Sequence, residues 1–304
     1  MSEFSYKQST TPQLSRVRTF LFGALAFVWF AEMVQWGFLA STGGWQNIWK
    51  NVAPQLTTAL LITHAIRAAA KGALGVMAIF GLRSKNPLTR SVLYISMSLV
   101  PPLNILFPCR ADGFPLGTTA VAAVFSAILW ISFFVFKEPI QRDETKNSAA
   151  MPPSGWEVIQ YAWSAVNSVA LTLMALFFLS APRIGLDFVF PSLSALFHSY
   201  ETGLASMTSS NLSSGTHLLA LAIALWIATV NSRSNPTLRQ AMTAASIVHS
   251  GLICLLPLRR VILEIGGSSA TSSILIAFAP LFAGWLLYAA FSSKVEFKKR
   301  QGAY

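Results

Sequence analysis

Apolar residues in this chain gather into long blocks, and the polar residues fall between the blocks rather than alternating with them. A helix rising about 1.5 Å per residue needs roughly 20 such residues to cross the hydrocarbon of a bilayer. The blocks predict eight spans, at 19–40, 56–81, 91–108, 117–136, 157–180, 212–231, 240–257 and 268–291. The expected fold is therefore an all-α integral membrane bundle. Pro101-Pro102 interrupts the third block, where two consecutive residues lack the N–H that a helix interior uses. Residues 181–211 form the longest connection. Phe188, Phe190, Leu193 and Phe197 make it too apolar for a solvated loop and too short to span, so an outer interfacial or re-entrant piece is expected there.

The pattern also repeats. Asn86-Pro87 and Asn235-Pro236 precede the third and seventh spans, 149 residues apart. The same offset pairs Arg90 with Arg239, Pro108 with Pro257 and Arg110 with Arg259. Thr63-His64 resembles Thr216-His217, and Trp29-x-Ala31 resembles Trp163-x-Ala165, at offsets of 153 and 134. Loop insertions produce such drift, so the chain reads as a tandem duplication. Four crossings per copy give the two halves the same orientation, about an axis along the membrane normal. The expected organisation is an N-terminal segment 1–18, a first four-helix repeat 19–140, a linker 141–156, a second repeat 157–292 and a basic tail 293–304.

Charge decides the orientation. Of the 22 Lys and Arg residues, 15 fall in segments that are cytoplasmic if the N-terminus is inside. The outer loops would hold only Lys50, Arg110, Arg183, Arg259 and Arg260, so both termini are expected in the cytoplasm. The net charge of +11 is not a nucleic-acid signal, because the basic residues flank apolar spans instead of lining a soluble face. Only 11% of the residues are charged, against about 25% in soluble domains. The first span is too long for a signal-peptide core and is expected to remain as an anchor. Cys109 and Cys254 make no disulfide framework or metal motif and read as buried thiols. Asn211-Leu212-Ser213 matches a glycosylation acceptor on the outer side.

An ionisable group at mid-span costs at least about 2.5–3.5 kcal/mol, so it needs a partner or a purpose. Only the first half carries a cluster of them. Glu32 and Gln35, three apart on the first helix, are expected on one face, with Trp29 and Trp36 beside them. On the second helix His64, Arg67 and Lys71 make one stripe. Glu32 lies roughly 20 Å from the inner end of its helix and Arg67 roughly 16 Å from the outer end of the next, which are compatible depths. Asn104 and Arg110 lie near the outer end of the third span. The matching residues of the second half are Val166, Ala220 and Ala224, so any site is asymmetric.

Three functions can use this cluster. In the first, Glu32 donates a proton to a lipophilic, isoprenoid-like substrate and starts its cyclisation or isomerisation. Gln35 and Asn104 would orient the reacting groups, while Trp29 and Trp36 stabilise a carbocation with their faces. In size and hydropathy the chain is similar to small multi-pass terpene cyclases, although it carries none of their motifs. In the second, His64, Arg67, Lys71 and Arg110 bind an anionic or small organic solute for transport. In the third, the chain is a subunit of a membrane complex, and His64 and His217 ligate haem b between the halves. No other cofactor and no metal is expected, and the expected partners are the lipid bilayer and a lipophilic small molecule. A plainer alternative is an ion pair of Glu32 with Arg67 or Lys71 that fixes helix packing. Glycine-rich phosphate loops, His-Glu-x-x-His and Gly-x-Ser-x-Gly are all absent.

Overall fold

The computed structural model describes residues 12–42, 57–106, 116–135, 155–180, 201–231, 235–263 and 278–292. Among these residues the structure is helical apart from short connections such as 84–86, with no strand. The helices are α1 (Pro12–Thr42), α2 (Thr57–Arg83), α3 (Pro87–Ser98), α4 (Val100–Leu106), α5 (Leu116–Val135), α6 (Gly155–Ser180), α7 (Glu201–Val230), α8 (Pro236–Leu263) and α9 (Phe278–Ser292). Four are long and apolar enough to cross a membrane, with windows Arg16–Phe38, His64–Arg83, Glu157–Leu179 and Leu212–Val230.

Each expected span overlies helix, with two departures. The third is split at Leu99 into α3 and α4. Pro101 and Pro102 have no N–H to offer the carbonyls of Met97 and Ser98, so the ladder breaks there. The Trp130 indole of α5 donates to the Ser98 carbonyl instead, at 3.1 Å. The second departure is at the end of the outer segment expected at 181–211 and bears on residues 201–211 alone. Residues 201–211 are the first turns of α7, while 181–200 lie outside the described residues. The Asn211-Leu212-Ser213 triplet is thus inside a helix, with Leu212 and Ser213 buried, and it is not a loop acceptor. Cys254 is a free buried thiol; Cys109 and Arg110 lie outside the described residues.

Lipid is as apolar as leucine, so helices in a bilayer associate through close packing of small residues rather than through hydrophobic burial. α2 and α7 have that composition and occupy the centre. Ala68, Ala69, Ala73 and Ala78 of α2, and Ala220, Ala222, Ala224 and Ala228 of α7, are all buried. In each, 72% of the apolar window is buried, against 22% in α1 and 28% in α6, which are outer helices. α1 packs on α2 and α6 on α7; α2 also meets α7 and α8, while α7 meets α3 and α4. Gly72 sets one of the closest approaches. A Cβ there would come within 2.8 Å of Leu252 of α8 and 2.9 Å of Met33 of α1.

The two Asn-Pro motifs play one structural role. Asn86 caps α3 by accepting from the Thr89 N–H at 3.2 Å, and Asn235 caps α8 by accepting from the Leu238 N–H at 3.1 Å. Proline at the first helical position needs no N–H and brings the correct φ. The caps differ in one respect: buried Thr89 donates its hydroxyl to Asn235 Oδ1 at 2.9 Å, tying α3 to α8. Loss of an N-cap costs about 1 kcal/mol, and a stranded buried hydroxyl adds about 1–3. Asn235→Ala should therefore destabilise the solubilised protein by about 2–4 kcal/mol, and Asn86→Ala by about 1. Thermal unfolding in one detergent measures both, and equal shifts would show that the Thr89 bond contributes nothing.

Candidate functional site

Three helices build the charged cluster. α1 presents Trp29, Glu32 and Trp36; α2 presents His64, Arg67 and Lys71; α7 presents His217. The spacing explains which residues of α1 take part. At about 100° per residue Trp29 and Trp36 are nearly in line, Glu32 is about 60° to one side, and Gln35 is about 120° away. Gln35 is accordingly exposed, outside the cluster, and does not share the face of Trp29 as its spacing from Glu32 suggested.

Glu32 forms a salt bridge with Lys71. The Lys71 side chain is 3% exposed and that of Glu32 36%. Of the two ion pairs that the sequence allows, the lysine one forms. Arg67 instead lays its guanidinium over Trp36, 3.8 Å from the ring centroid, and has no carboxylate partner among the described residues. Its buried Nε has no hydrogen-bond partner among them either. The Lys71 ammonium lies 5.5 Å from the centroid of Trp29. Each of the two indoles of the α1 cluster therefore turns one face to a cation of α2.

The histidines pack on the same indoles. His64 lies 4.9 Å from Trp36, tilted by 47°, and both of its buried ring nitrogens are unpartnered among the described residues. His217 meets Trp29 edge to face at 5.6 Å. Its Nδ1 contacts the Ser213 carbonyl at 2.5 Å. A carbonyl only accepts, so Nδ1 carries the proton and Nε2 is left unpartnered and buried. A bound group could use that lone pair. Each imidazole packs against its own tryptophan, His64 on Trp36 and His217 on Trp29.

Asn104 is drawn to α7 rather than to Glu32. Its Oδ1 accepts from the Thr216 hydroxyl at 2.7 Å, next to His217, and the same hydroxyl lies 2.8 Å from the Ser213 carbonyl. At the matching positions of the second half, Val166 is exposed while Ala220 and Ala224 are fully buried. Sequence reasoning paired His217 with His64 through the repeat, but it missed a separate cavity between α6, α7, α8 and α9 around Asn167 and His249. No motif flags that cavity, because it arises from residues far apart in the chain. No family model, no curated protein and no solved structure matches this chain.

Proposed function

We propose that this chain is a multi-pass membrane transporter of a small organic anion, which docks against Arg67 inside the bundle. The observation that carries the reading is the division of charge in the cluster. Lys71 is matched by Glu32, while Arg67 rests on Trp36 with no carboxylate among the described residues. One positive charge is left over in the interior of a helix bundle, where an unmatched charge is costly and a bound anion would offset it. A guanidinium is well suited to hold such an anion, being planar, weakly hydrated, able to stack on an indole and matched to a carboxylate by its fork of donors.

The same geometry weighs against acid-initiated cyclisation of an isoprenoid-like substrate. Glu32 would have to leave Lys71 before it could donate a proton. One face each of Trp29 and Trp36, the aromatic surface a carbocation would use, already carries Lys71 or Arg67.

The reading includes eight crossings, both termini in the cytoplasm and two four-helix halves, 19–140 and 157–292, in the same orientation. The matching caps at Asn86 and Asn235 support it. So do the matching neighbours, α1 on α2 as α6 on α7, and α2 on α8 as α7 on α3 and α4. The cluster then sits where the halves meet, as binding sites of transporters built from repeats commonly do.

The deciding experiment is uptake into proteoliposomes, with benzoate as probe because it joins a carboxylate to an apolar ring. Saturable uptake is expected, retained in the lipid-facing variant Val166→Ala. Uptake no faster than into empty liposomes, for benzoate and for a panel of aliphatic carboxylates, would sink the transport reading. Turnover of an isoprenoid by the wild type but not by Glu32→Gln would put the enzymatic reading in its place.

A further inference from the structure

A second site lies in the other half of the molecule. Between α6, α7, α8 and α9 is a cavity of about 50 Å³, walled by Leu171, Met174, Leu221, Met242, Phe278 and Trp285 among others. Its polar lining is Asn167, Ser246, His249 and Ser250, with no acidic or basic residue besides the imidazole among the described residues. His249 is 6% exposed, and its Nε2 has no hydrogen-bond partner among the described residues. The neighbouring polar groups are partly spent on their own helices. Asn167 Nδ2 donates to the Trp163 carbonyl at 2.7 Å, and the Ser250 hydroxyl to that of Ser246 at 2.7 Å. A buried imidazole with an unpartnered nitrogen thus lines a largely apolar chamber, which is the arrangement of a site built around one directed hydrogen bond.

We infer that this cavity binds the hydroxyl end of a neutral, long-chain lipid that enters from the bilayer. Three observations define that ligand. The cavity reaches the outer surface of the bundle, because lining residue Ala170 is exposed and Phe278 and Leu281 are only half-buried. Its size is about a third of the roughly 150 Å³ that holds a benzene ring, so a hydroxyl and the first carbons of a slender chain fit, while a ring does not. The absence of a cationic residue among the described lining residues disfavours a carboxylate, whereas a hydroxyl both donates and accepts and so satisfies Nε2 in either tautomer. The chain of the ligand would leave between Met174, Phe278 and Leu281, where methionine adapts to an irregular shape. This site is separate from Arg67, and its test does not depend on transport.

The probe is a long-chain primary alcohol carrying a diazirine near its hydroxyl, photolysed with the protein in nanodiscs and mapped by peptide mass spectrometry. Labelling is expected to concentrate on α6, α8 and α9. Hexadecanol should suppress it in the wild type at concentrations where hexadecane and palmitate do not. His249→Leu should weaken labelling roughly tenfold, the worth of one hydrogen bond, and Ala245→Leu, which fills the chamber, should abolish it. Arg67→Gln should leave it unchanged. Labelling spread over every lipid-facing helix, or suppressed equally by hexadecane and hexadecanol, overturns the site even if neither variant can be purified.

Discussion

Replacing Glu32 alone with leucine should cost the solubilised protein about 3 kcal/mol, and replacing Lys71 with methionine at the same time should return most of it. Exposed ion pairs contribute only about 0.2–1 kcal/mol, so the size of the effect depends on burial. Lys71 is almost wholly enclosed, and Glu32 is its carboxylate among the described residues. Without Glu32 two cations, Lys71 and Arg67, remain one helical turn apart on α2 with nothing to balance them. Removing one partner of a fully buried pair costs about 3–5 kcal/mol; the lower end applies because Glu32 is 36% exposed. Removing both partners leaves apolar groups in an apolar setting, which is often neutral. The readout is thermal unfolding in one detergent, with a shift of roughly 6–12 °C for the single variant. A double variant no more stable than Glu32→Leu would show that the two charges are not energetically coupled.

Arg67→Gln should lower kcat/KM for anion uptake by about 10- to 150-fold, the effect of losing a charge-assisted hydrogen bond worth 1.5–3 kcal/mol. Arg67→Lys should recover only part of the loss. An ammonium keeps the charge but not the two-pronged donor set, nor the flat stacking on Trp36 seen at 3.8 Å. Trp36→Leu removes the platform and leaves the charge. A cation–π contact contributes about 0.5–2 kcal/mol depending on desolvation, so a smaller rise in KM of up to about 30-fold is expected. The order of severity matters more than any single value. Arg67→Gln with wild-type KM and kcat would remove the residue from the site altogether.

Much of this arrangement is legible in the chain itself, because it depends on short-range rules. Apolar block length locates the helices. The alanine-rich runs of α2 and α7 identify the segments that others can approach closely. Asn followed by Pro marks two helix starts, and both act as caps in the folded protein. The 3–4 spacing of His64, Arg67 and Lys71 puts them on one stripe regardless of what lies opposite.

What lies opposite belongs to the tertiary structure. Helical periodicity leaves Arg67 and Lys71 as equal candidates for Glu32, since they differ by one turn, or about 6 Å along the axis. The axial offset between α1 and α2 decides between them. Gly72 lets Met33 come so close that the residues just before each, Lys71 and Glu32, are brought side by side. Arg67 is thereby left one turn away, over Trp36. The bond of Asn104 to Thr216 and the chamber at His249 likewise join helices far apart in the chain, whereas Gln35 falls outside the cluster by its angle around α1 alone. Sequence spacing specifies angles around one helix axis, and the identity of a partner on another helix requires the offset and rotation between axes, which only the packing of small residues against large ones supplies.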